Sequence, residues 1–160
     1  MCYKPGMLHP SRKHPAHLPA VHRHNTPVVI LVTVCTYPRA CILDNPAAHD
    51  GIVRAWRAAD AWHAGDYVVM PDHVHVFCTP GTHEPLGVKA WAEYWKRLAG
   101  EFLPALQGVF QWECWDTQMR SRGHYCRKLE YVRQNPVRAG LVTAPDAWPY
   151  RGRVHGIWWP

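Results

Sequence analysis

Residues 27–37 carry a nearly unbroken apolar run, from Val28 through Val34 and Cys35, interrupted only by Thr33. A short run so rich in β-branched residues predicts a strand buried on both faces. From Asn45 to about His63 the period changes to that of a helix. Pro46 sits in its first turn, Ile52, Trp56, Ala59 and Trp62 form its stripe, and Gly51 weakens its start. Residues 67–79 are again strand-like in two apolar halves, and Pro71-Asp72 between them reads as the turn of a hairpin. A second helix is predicted from about Glu84 to Leu103, with Val88, Trp91, Trp95, Leu98 and Phe102 on its buried side. Gly108 to Trp112 is the expected last strand, and a further helix follows from about His124 to Asn135. The order strand–helix–strand–strand–helix–strand predicts an α+β, ferredoxin-like domain. Its antiparallel sheet has helices on one face, and an additional C-terminal helix follows.

Two features of this pattern bear chemistry. His73 and His75 lie two apart on the second half of the hairpin, so both project from one face while Val74 and Val76 project from the other. Paired imidazoles on a rigid strand are half of a divalent-metal site; a polar strand face carrying two histidines by chance is the plainer reading. On the last helix, Tyr125, Leu129 and Val132 share one narrow stripe, so Tyr125 is expected to pack inward. Tyr131 falls off that stripe, with Arg127 four residues before it and Asn135 four after it, the spacing of neighbours on a helix surface. Pro136 disfavours helical geometry at Asn135, so the helix is expected to end or kink there.

Charge sharpens the picture. The 160 residues hold 18 Lys+Arg against 12 Asp+Glu, a net charge of +6. No carboxylate precedes Asp44, whereas Lys4, Arg12, Lys13, Arg23 and Arg39 do. Between Thr117 and Val142 lie Arg120, Arg122, Arg127, Lys128, Arg133 and Arg138, with Glu130 the one acid. Cations clustered beside an exposed tyrosine fit contact with a phosphate backbone. The length suits one domain, and no apolar run is long enough to span a bilayer. Six cysteines without a Cys-x-x-Cys pair read as reduced thiols in a cytosolic protein. Residues 1–26, rich in His and Pro, are expected to form a poorly ordered basic arm. Residues 27–143 form the domain proper, and 144–160 a tail. Its Trp158 and Trp159 are expected to tuck onto the core, with stacking on unpaired bases as the alternative.

The segment Val69-Met-Pro-Asp-His-Val-His75, followed by Tyr131-x-x-x-Asn135-Pro-Val-Arg-Ala-Gly-Leu-Val142, resembles the REP-associated tyrosine transposases, relatives of the single-tyrosine transposases of the HUH endonuclease class. The resemblance covers roughly residues 27–142, including the stretch from Trp112 through Asp116 to Arg120. The two ends depart from it, and no serine pair follows Trp148. It implies a metal-dependent endonuclease and strand transferase acting on single-stranded or hairpin DNA, in particular repeated extragenic palindromes. Tyr131 would be the nucleophile, leaving a 5′-phosphotyrosine and a free 3′-OH. His73 and His75 would hold Mg²⁺ or Mn²⁺ with Asn135 as third ligand, or Gln134 in its place. Arg12, Lys13, Arg23, Arg120, Arg122, Arg127, Lys128, Arg133 and Arg138 would contact DNA. A bacterial, nucleoid-associated cytoplasmic protein, monomeric or homodimeric, is implied. The alternatives are a rolling-circle replication initiator, or a nucleic-acid-binding regulator that keeps the fold without catalysis.

Overall fold

A computed structural model of the chain describes residues 17–24 and 26–159. Three strands build the centre of the sheet: β1 (Ile30–Cys35), β2 (Trp62–Met70) and β3 (His73–Pro80), with Pro71 and Asp72 turning the β2–β3 hairpin. Helix α1 (Pro46–Ala58) separates β1 from β2, and α2 (Val88–Phe102) follows β3. After a short 3₁₀ turn come β4 (Trp115–Gln118), α3 (Arg122–Arg133), α4 (Asn135–Arg138) and, past a second 3₁₀ turn, β5 (Arg151–Arg153). The strand order is β4-β1-β3-β2-β5, and every pairing is antiparallel. This is the expected ferredoxin-like arrangement with β5 added beyond β2. Among the described residues no helix is long and apolar enough to cross a membrane.

Each sheet face has its own core. On one, Val32, Val34, Val74 and Val76 meet Ile52 and Trp56 of α1 and Trp91 and Trp95 of α2. The buried indole of Trp91 donates to the Ala59 carbonyl at 2.8 Å. On the other, Leu31, Val68 and Phe77 meet Tyr125 and Val132 of α3. So α1 and α2 share one face and the C-terminal helix α3 lies against the opposite one. Trp159 packs there too, stacking on Tyr125 at 6.1 Å between ring centroids, whereas Trp158 is 76% exposed and does not tuck onto the core as expected.

Several boundaries differ from the sequence reading. Helix α1 stops at Ala58, and Trp62 opens β2, where it is buried and its indole donates to the Leu86 carbonyl at 2.6 Å. Its helical spacing from Ala59 therefore arises by coincidence. The expected strand at Gly108 to Trp112 is instead a connecting segment with a single bridge, Thr36 to Phe110. Gly108 turns the chain there at φ 71°, Phe110 packs edge-on against Trp95, and Trp112 is 71% exposed. The edge strand is β4, which begins only at Trp115. Helix α3 begins at Arg122, capped by the Ser121 side chain, which accepts from the His124 amide at 3.2 Å. It ends at Arg133, and Asn135 starts α4. Cys41 is disulfide-bonded, contrary to the expectation of reduced thiols. The described part of the arm lies along β4, with the Val21 amide and carbonyl both bonded to the side chain of Gln118.

Candidate active site

Strand register explains the surroundings of the two histidines. His73 pairs with Cys35 of β1, and His75 pairs with Thr33. Cross-strand partners share a face, so the Thr33 hydroxyl reaches His75 Nδ1 at 2.7 Å. The two imidazoles face α3's side of the sheet, 4.8 Å apart and edge to face. His73 Nδ1 is bonded to Asp72 Oδ1 at 2.6 Å. Both Nδ1 atoms are thus engaged, which leaves Nε2 of each ring as the free donor atom. Hydrogen bonds of this kind orient histidines that bind metals.

Asp72 is itself held. Arg39 donates to Asp72 Oδ2 through Nε and Nη2, both at 2.8 Å, from a left-handed backbone at φ 72°. Burial raises the Asp72 carboxyl, but the hydrogen bond and charge of His73 and the charge of Arg39 outweigh it and leave it lowered. His75 is only 8% exposed. Burial first, then the charges of His73, Arg39 and Lys128, push its imidazole down to about 3. It is therefore neutral near pH 7, the form that binds metal ions. The sequence reading does not single out Arg39, Asp72 or Thr33. An aspartate beside a histidine is a visible signal. Thr33 lies 42 residues from His75 and Arg39 lies 33 from Asp72, and neither carries one.

Tyr125 and Tyr131 separate as their helix phases require. Tyr125 is 7% exposed, lies edge-on to Phe77 at 5.1 Å and donates to Asp66 Oδ2 at 3.2 Å. Tyr131 is 44% exposed. The cations at its ring are Lys128, with Nζ 5.7 Å from the centroid, and Arg138, with Cζ at 4.4 Å. Arg127 instead lines a groove of about 770 Å³ together with Arg23, Arg120, Ser121 and His124. Arg133 is drawn to Asp146 at 3.3 Å, and Arg122 is exposed at the start of α3. Arg12 and Lys13 lie outside the described residues.

The two candidate amides differ sharply. Gln134 donates through Nε2 to Glu130 Oε1 at 2.8 Å. Asn135 has its Nδ2 buried with no partner, a costly state for a polar atom. Among the described residues, no hydrogen bond or ring contact joins Tyr131 or Asn135 to the histidines. Lys128 links the halves electrostatically, acting on both His75 and the Tyr131 ring.

No protein-family model matches the chain. A stretch of 86 residues is 28% identical to a REP-associated tyrosine transposase of Escherichia coli (strain K12). The match takes in 52% of this chain and 50% of that protein, so the chain spans about half the length of the curated relative it matches. Among solved structures, a REP-associated tyrosine transposase bound to a REP hairpin superposes with a TM-score of 0.66. It is 20% identical, over 84% of this chain and 82% of that one, a likeness in fold. The sequence match agrees with the resemblance carried by the histidine and tyrosine motifs, and the structural match agrees with its fold.

Proposed function

We propose that this protein is a transposase-like endonuclease of single-stranded or hairpin DNA, using Tyr131 as nucleophile and a divalent cation held at His73 and His75. The observation that carries the reading is the paired imidazoles with both Nδ1 atoms occupied and both Nε2 atoms free, on the sheet face that α3 covers. The donor set fits a metal ion: two imidazole Nε2 atoms whose rings are held at Nδ1, and in Asn135 a buried amide lacking a partner at Nδ2, whose rotation presents Oδ1. Asn135 is the third ligand, since its buried Nδ2 has no partner, whereas the Gln134 side chain is tethered through Nε2 to Glu130. A divalent cation held by His73, His75 and Asn135 would supply Lewis-acid polarisation of the scissile phosphate. Because histidine is not a preferred Mg²⁺ ligand, Mn²⁺ serves at least as well.

The chain's own groups supply the rest. The Tyr131 oxygen attacks the phosphorus, the P–O bond to the preceding nucleotide breaks, and its oxygen leaves as a 3′-OH while the 5′ end stays on tyrosine. Lys128 and Arg138, at the Tyr131 ring, neutralise charge as the phosphate approaches. Arg39 and Asp72 fix the orientation of His73. Arg23, Arg120 and Arg127, lining one groove, hold backbone phosphates. The substrate class follows the neighbour with the shared fold, which is bound to a REP hairpin. The test is incubation with labelled hairpin oligonucleotides and Mn²⁺. Cleavage that EDTA stops, with binding retained, supports the reading. Binding without cleavage under any divalent cation favours a silent regulator of the same fold.

A further inference from the structure

On the other side of the sheet edge, a second set of metal-ligating groups converges where the N-terminal segment meets β4. Cys114 lies just before β4, Asp116 lies within it, and His17 reaches both from the arm. One donor atom from each lies within 4.8 Å of the other two. His17 Nδ1 is 2.6 Å from Asp116 Oδ1, and Nε2 is 2.9 Å from Glu113 Oε2. A neutral imidazole has only one N–H and cannot donate to both carboxylates. The two contacts therefore need one more proton than a neutral imidazole and two carboxylates carry, or a cation between His17, Asp116 and Cys114 in its place.

The neighbours weigh on that choice. Lys89 takes the other oxygen of Glu113, with Nζ to Oε1 at 2.7 Å. Lys96 is tied to the carbonyls of Gln111 and Trp112 at 2.9 and 2.8 Å. Neither lysine has a hydrogen bond or ion pair to Asp116 or Cys114. Cys114 is 1% exposed, and burial followed by the Asp116 charge raises its thiol to about 11. A bound cation reverses that preference, because a coordinating thiol gives up its proton. His17 also takes a left-handed backbone, φ 41°, to bring its ring here.

We propose that His17 Nδ1, Cys114 Sγ and the Asp116 carboxylate form a binding site for a zinc-class cation, distinct from the His73–His75 pair, that clasps the N-terminal segment to the edge strand. Nitrogen, sulfur and oxygen donors together suit Zn²⁺ and not Mg²⁺, which selects oxygen. Glu113, facing Nε2, accepts the remaining N–H and fixes the tautomer that turns the Nδ1 lone pair to the metal. Coordination replaces the thiol proton of Cys114, which leaves to solvent. His17 and Asp116 also line the groove that holds Arg23, Arg120 and Arg127, so the clasp fixes one wall of that groove.

Cobalt titration of the full chain tests this, because a thiolate ligand gives Co²⁺ an ultraviolet charge-transfer band that the strand histidines cannot. The band should saturate at one Co²⁺ per chain and be displaced by Zn²⁺. It should vanish in Cys114→Ser, fall sharply in His17→Ala, and persist in Cys2→Ser, Cys126→Ser and His73→Ala. Glu113→Gln should weaken Zn²⁺ binding by about 10–100-fold, as lost outer partners of metal-binding histidines do. Since Cys114 is buried, circular dichroism accompanies each variant; His17→Ala, outside the core, remains decisive if Cys114→Ser misfolds. Absence of the band, or its survival in His17→Ala, overturns the proposal and leaves the cluster as hydrogen bonds between His17 and the two carboxylates.

Discussion

Acid should unfold the metal-free protein partly through a single residue, His75. Its imidazole is held down to about 3 against an ordinary value of 6.5, chiefly by burial. In the unfolded chain nothing buries it, so between those values the unfolded state binds a proton that the folded state refuses. The sign follows directly. The stability contributed is fully present above about pH 6.5 and is lost as pH falls toward the folded value. Each pH unit in that window removes up to ~1.4 kcal/mol, so two units of acidification cost about 3 kcal/mol, and the ceiling is on the order of 5 kcal/mol. A domain of this size is stable by roughly 5–15 kcal/mol in all, so the effect is readily measured. Carboxylates held low, such as Asp72 and Glu113, act in the same direction at lower pH. The assay is therefore a comparison. Urea unfolding in EDTA is followed from about pH 7.5 to 4.5 for the native chain and for His75→Gln, which removes the titration. The stability difference between the two should shift by about 2–3 kcal/mol over that range, with the native chain losing more. Parallel curves would refute the argument that burial keeps His75 neutral.

Other outcomes follow from particular side chains. Asn135→Ala should weaken Mn²⁺ binding, read by calorimetry on the Cys114→Ser background, yet leave the melting temperature nearly unchanged, since its Nδ2 makes no hydrogen bond. Gln134→Ala should change neither metal affinity nor cleavage. Replacing Arg23, Arg120 and Arg127 with alanine should make the log–log salt slope of single-strand binding shallower by about 0.7 for each phosphate no longer neutralised, measured by fluorescence anisotropy. An unchanged slope would place the DNA elsewhere. Gly81→Ala should destabilise by about 1–3 kcal/mol, because the new Cβ falls onto the Asp60 carbonyl oxygen, whereas Gly87→Ala, with nothing within 4 Å, should be nearly neutral. Thermal denaturation separates the two.

The sequence disclosed those parts of the fold in which packing leaves a periodic trace. Strands β1 to β3 occupy the middle of the sheet, so Val28 to Val32 and Tyr67 to Met70 read as apolar runs. The edge strands leave none. Trp115–Gln118 and Arg151–Arg153 are largely polar and short, whereas Val109 and Phe110 look strand-like but sit in a connecting segment packed against the core. Trp62 continues the spacing of α1 while serving β2, because a bulky buried residue suits either element. In the candidate site, the shared face of His73 and His75 follows from the two-residue period of a strand, and the exposure of Tyr131 follows from helix phase. What period cannot give is a partner brought by register or by a loop. Thr33 reaches His75 only because β1 and β3 pair as they do, and Arg39 reaches Asp72 from the turn after β1. Arg138, in α4 beyond the break at Gln134, approaches Tyr131, whereas Arg127 lines the groove beside α3.

Whether Tyr131 becomes covalently joined to DNA is read by mapping the adduct. The protein is incubated with Mn²⁺ and a hairpin oligonucleotide, digested with protease and nuclease, and the peptides are sequenced by mass spectrometry. A nucleotide phosphate is expected on the peptide containing Tyr131, absent in Tyr131→Phe and undiminished in Tyr125→Phe. An adduct on any other residue, or one that survives Tyr131→Phe, would contradict Tyr131 as the nucleophile.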